Sequence, residues 1–133
     1  MAQTTYGFRV KVSVPFEQAV SIAKALLQAE GFGVLTEIDV QKTMKQKLDV
    51  EFRKYIILGA CNPPLAQRAL EAELEIGLML PCNVIIYETG GGSVVSFMDP
   101  ITALGIVDNE RLRPIAEEAR ARLVRVAARL ARG

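Results

Sequence analysis

Tyr55-Ile56-Ile57-Leu58-Gly59-Ala60-Cys61-Asn62-Pro63-Pro64 is the stretch on which the reading of the fold turns. Tyr55 to Cys61 is nearly continuous apolar sequence, as expected of a central strand buried on both sides. The next three residues stop it. Asn62 can cap a helix with its side-chain oxygen, and proline fits a first helical turn because its missing N–H would have no intrahelical partner there. A helix is expected from about Leu65 to Leu74.

Upstream, Tyr6, Phe8, Val10, Val12 and Val14 alternate with Arg9, Lys11 and Ser13, the period of a half-buried strand with Tyr6 on its apolar side. From Pro15 the spacing changes to that of a helix, with Phe16, Ala19, Val20, Ala23, Leu26 and Leu27 on one stripe that Gly31 ends. Phe32 to Ile38 reads as a strand. Asp39 can cap a short helix whose apolar face is Val40, Met44 and Leu48, leaving Lys42, Lys45 and Lys47 off that face.

Downstream, Val84–Tyr87 and Val94–Met98 are β-rich runs joined by Thr89-Gly90-Gly91-Gly92, a hairpin signature. Those glycines could also present N–H groups to a phosphate, but a phosphate loop leads into a helix, and Ser93-Val94-Val95 reads as strand. Leu112, Ile115, Ala116, Ala119, Leu123, Val126, Ala127 and Leu130 then form the stripe of a long terminal helix. The order predicts an α+β two-layer sandwich: one mostly antiparallel sheet of about five strands, with helices packed on one face. With no repeat or linker, residues 1–133 are expected to form one domain.

Sixteen basic residues stand against fifteen acidic ones, so no net field draws the chain to nucleic acid or membrane. The start, Met1-Ala2-Gln3-Thr4-Thr5, has no basic cluster or apolar run of a secretion signal, and a cytoplasmic location is expected. The longest apolar stretch, Ile76 to Ile86, is broken by Pro81 and is too short for the roughly 20 residues of a membrane span. The chain contains no histidine. That excludes serine–histidine triads, histidine-paired cysteine nucleophiles and histidine-containing zinc sites.

The segments Ile38–Leu48 (IDVQKTMKQKL), Ile57–Glu73 (ILGACNPPLAQRALEAE), Ile76–Glu88 (IGLMLPCNVIIYE) and Ser96-Phe97-Met98-Asp99-Pro100 resemble the uncharacterised domain-of-unknown-function 302 family. With matching elements on either side, the resemblance covers essentially the whole chain. It implies a compact two-layer domain, dimeric through exchanged or closely packed elements, and no established activity. It implies no shared cysteine chemistry either.

The candidate residues gather at strand ends. Cys61 precedes a helix start, where unpaired N–H groups and the helix dipole favour a thiolate. Cys82 begins a later strand, and each cysteine is followed by an asparagine, Asn62 or Asn83. Against a reactive pair stands the tendency of free cysteine to be buried as a small hydrophobe. A thiolate metal centre would need further ligands, and no metal site is assigned. Asp99, before Pro100, either approaches the thiols or simply ends its strand by bonding local backbone.

The terminal helix carries seven arginines (Arg111, Arg113, Arg120, Arg122, Arg125, Arg129 and Arg132) against Glu110, Glu117 and Glu118. Such a face could bind phosphates, but the glutamates pair with it in sequence and no aromatic interleaves it, so nucleic acid is not the expected partner. The leading expectation is a small non-catalytic ligand-binding or regulatory domain. It would be homodimeric, with a small-molecule pocket near the two cysteines whose cofactor, if any, is not readable. One alternative is a thiol-redox protein with Cys61 as nucleophile and Cys82 as resolving thiol. Another is a partner-binding module using the arginine-bearing helix.

Overall fold

In the computed structural model, which describes Met1–Gly133, Tyr55–Cys61 is a strand with an antiparallel neighbour on each side. The elements run β1 (Ala2–Gln3), β2 (Gly7–Val12), α1 (Phe16–Ala29), β3 (Gly33–Asp39), α2 (Val40–Leu48) and β4 (Tyr55–Cys61). They continue with α3 (Pro63–Ala72), β5 (Cys82–Thr89), β6 (Gly92–Met98), α4 (Pro100–Leu104) and α5 (Arg113–Arg132), with 3-10 turns at Leu74–Met79 and Glu110–Leu112. The strands form one antiparallel sheet in the order β1-β2-β6-β5-β4-β3. The class is α+β, as the sequence implies. The sixth strand is β1, whose two residues are too few to show any periodicity.

Helices α1 and α5 cover one face of the sheet. Phe8, Val10, Leu58, Ala60, Val84, Ile86, Val95 and Phe97 meet Ala19, Ala23, Leu27, Leu123 and Val126 there in the main core. Phe8 and Phe97, opposite each other in β2 and β6, stack with ring centroids 5.3 Å apart. A second core lies off the end of the sheet, where Leu65, Ala69, Ile76, Leu104, Leu112, Ile115 and Ala116 pack together. All eight residues of the expected terminal stripe are buried.

The other sheet face carries no helical layer, which corrects the expectation for β4. Leu58, on the helix side, is fully buried, but Ile57, which faces the open side with Ile85, is only half-buried. The strand is also one place in from the β3 edge rather than central. A continuous apolar run therefore does not signify burial on both sides here. Tyr6 is likewise exposed, because the chain turns before Gly7 and the strand begins only there.

Capping follows the local chemistry. Asp39 Oδ1 accepts from the Lys42 N–H at 2.9 Å and Asn62 Oδ1 from that of Leu65 at 3.3 Å, with Pro63 opening α3. That helix ends at Ala72, earlier than Leu74, because the chain tightens into the 3-10 turn that drives Ile76 into the second core. The glycine run is a turn: Thr89 pairs with Gly92, leaving Gly90 and Gly91 as its tip.

Candidate functional site

Cys61 and Cys82 stand at the same end of the sheet, one at the end of β4 and one at the start of β5. Register sets Cys82 opposite Ala60, on the helix-covered side, while Cys61 lies one residue further on, opposite Gly33. Because side chains alternate between faces, the ladder does not align the two thiols as a cross-strand pair. Both are free thiols, and both line one cavity of about 360 Å³.

Its walls come from the end of β4, α3, the segment through Leu80-Pro81, α4 and the start of α5, including Leu65, Ala69, Pro81, Leu104 and Ala119. Gly59 makes this arrangement possible. A Cβ there would run into Thr36 Oγ1 and lie 2.8 Å from Pro81 Cγ, so the bare backbone lets Pro81 close over the strand. No charged residue lines the cavity. Thr36 and Asn62 are its polar elements beside the thiols, and the Asn62 oxygen is already committed to capping α3.

Electrostatics keep both sulfurs protonated. Burial pushes the Cys82 thiol up to about 11, and a negative charge on Cys61 would add to the effect. Burial raises Cys61 as well. The helix-dipole effect that placement before α3 suggests is worth only about 0.3–1 kcal/mol at an exposed helix end, and it does not offset the desolvation. No cation lines the cavity to stabilise a thiolate.

The family model described as "Domain of unknown function DUF302" matches residues 8–130. The chain belongs to the DUF302 family. It is similar to a solved structure, the crystal structure of uncharacterized conserved protein DUF302 from Bacillus stearothermophilus, with a TM-score of 0.88 and 28% sequence identity. That match covers 96% of this chain and 99% of the other. No curated protein matches the chain.

In this DUF302 domain the remaining sequence candidates part company with the thiols. Asn83 is exposed and shares a face with Ile85 and Tyr87, lining a different hollow. Asp99 caps α4 by accepting from the Ile101 N–H at 2.9 Å, and its other oxygen accepts from Arg120 Nε at 3.0 Å. Its role is local, which is the second of the two readings of Asp99-Pro100.

Several helix arginines are engaged within the chain. Arg120 lies over the Phe8 ring, Arg122 donates to the Glu30 carbonyl at the end of α1 and to Glu118, and Arg125 grips the Glu30 carboxylate. Arg125 holds that carboxyl below the usual carboxylate range. No helix is long and apolar enough to cross a membrane. Sequence reasoning passed over Leu65, Ala69, Leu104 and Ala119 as site residues, since apolar helix positions carry no signal separating a cavity wall from a packed core.

Proposed function

We propose that this domain is a small non-catalytic binding module that takes a neutral, largely apolar small molecule in the cavity beside Cys61 and Cys82. The observation that carries this reading is the cavity's lining: about 360 Å³ with no charged residue. That volume lies within the range of small-molecule sites, which pair apolar walls with a few polar groups. A charged ligand would lose its hydration there without gaining an ionic partner. The raised thiols support binding over nucleophilic chemistry, since attack requires the thiolate.

Titration with Nile red, a neutral apolar dye, tests the reading. Saturable fluorescence enhancement is expected in the wild type, and Ala66→Phe, which fills the cavity from α3, should abolish it while leaving the circular dichroism spectrum unchanged. Absence of saturable binding, or equal binding by the folded variant, would overturn the proposal.

Homodimerisation is part of the same reading, through the β3 edge. Leu35, Ile38, Leu48, Val50 and Phe52 are all exposed around this strand and the end of α2, and α2 buries none of its residues. One edge of β3 has no strand partner, so a second copy could both extend the sheet and cover the apolar corner. Light scattering over a concentration range should give a dimer mass that Ile38→Glu reduces to a monomer. A monomer at every concentration would refute it.

A further inference from the structure

The face of the sheet that no helix covers holds a second and larger hollow, of about 600 Å³, floored by β2, β6 and β5. The turn before β2 and the α4 segment form its sides, contributing Tyr6 and Ile106. We infer that this hollow is a binding site for an organic monocarboxylate with an aromatic or bulky apolar body, anchored by Arg9. The site is separate from the cysteine cavity, and the two share no lining residue.

Three observations converge. Arg9 is the only charged residue lining the hollow. Its guanidinium makes no ion pair or hydrogen bond within the chain, whereas Arg120, Arg122 and Arg125 are all neutralised by carboxylates. By strand alternation no acid shares its face: Glu88 points with Val84 and Ile86 to the helix side, and Glu37 reaches across to Lys24 of α1. A guanidinium presents a planar fork matched to a carboxylate.

The remaining surface selects the body of the ligand. Ile85, Met98 and Ile106 provide apolar contact, and Tyr87 presents an aromatic ring already stacked on Tyr55 at 5.6 Å. The Asn83 amide makes no bond elsewhere and stands beside them as a neutral donor. Carboxylate head, apolar body and a single hydrogen-bond partner together define the class. Lys11, two residues along β2 on the same face, and Arg53, 5.7 Å from the Tyr87 ring centroid, add positive charge nearby without lining the hollow, so Arg9 is the cation that a ligand's carboxylate would meet.

Naphthalene-2-carboxylate is the probe, read by amide chemical-shift mapping and calorimetry. Shifts should cluster at Arg9, Ile85, Tyr87 and Ser96. Arg9→Gln, a change on an exposed strand position, should weaken affinity by roughly 10- to 100-fold, the range of a charge-assisted hydrogen bond, and Arg9→Lys should recover part of it. The uncharged naphthalene-2-carboxamide should bind wild type no better than the acid binds Arg9→Gln. Ala66→Phe, which blocks the cysteine cavity, should leave carboxylate binding unchanged, so the two proposed sites fail independently. Shifts centred elsewhere, equal affinity in Arg9→Gln, or equal affinity for the amide would each overturn the inference.

Discussion

The buried thiol of Cys82 predicts an alkaline loss of stability whose size follows from the fold. A free thiol titrates near 9.0, and burial pushes Cys82 up to about 11 in the native protein. Between these values the unfolded chain has released its proton while the native chain retains it. The native state therefore binds more protons, and the free energy of unfolding falls as pH rises. This contribution is complete below pH 9 and declines through the interval up to the native value.

At about 1.36 kcal/mol per pKa unit, the loss from this one group is about 1.4 kcal/mol at pH 10 and about 2.3 kcal/mol at pH 11. Tyrosines and lysines also titrate there, so the measurement is a difference. Urea unfolding followed by circular dichroism, at intervals from pH 8 to 11, would be compared between wild type and Cys82→Ala. The substitution lowers stability by a constant amount through lost packing, and the diagnostic is the slope. The variant should decline less steeply, and the gap between the proteins should close by about 2 kcal/mol across the range. Parallel curves would mean that Cys82 titrates like a free thiol and that its strand end is open to water.

Asn62→Ala removes the cap of α3 and should cost about 0.5–2 kcal/mol in urea unfolding; an unchanged midpoint would show that the cap contributes nothing. Gly59→Ala forces Thr36 and Pro81 away from the strand and should cost on the order of 1–3 kcal/mol, with Nile red binding lost in parallel. At the acid end, Glu30 is held below the usual carboxylate range by Arg125. Its contribution is therefore present above the ordinary carboxyl value and disappears as pH falls through the lowered one. Arg125→Met should flatten this acid limb, and an identical limb would remove the pair from the account.

The sheet and the long helix were legible because their apolar residues repeat at the periods of strand and helix. Asn62 and Asp39 were legible as caps because capping is decided within three residues of chain. The uncovered face was not. Ile56 and Ile57 are adjacent apolar residues whether or not a second helical layer exists, and only the placement of α1 and α5 on one side decides. The candidate site shows the same division: Cys61 and Asn62 are neighbours in sequence and both line the cavity, whereas Asn83 faces away because strand alternation turns it from Cys82. Arg9 gave no signal at all, since one arginine in an alternating strand looks like any solvated residue until its lack of a carboxylate partner is seen.

Helix α5 is the one element that contributes to both cores, with Ile115, Ala116 and Ala119 in the smaller and Leu123, Val126, Ala127 and Leu130 in the larger. It also follows every other element in the chain. During synthesis the six strands therefore leave the ribosome with α1 alone to cover them, and the core surface that α5 shields is still open to water. Such exposed apolar sheet is the kind of surface on which aggregation and chaperone capture act. The final helix thus sets the moment at which a nascent chain passes from chaperone client to folded protein, and a ribosome stalled before Arg113 would hold it on the vulnerable side.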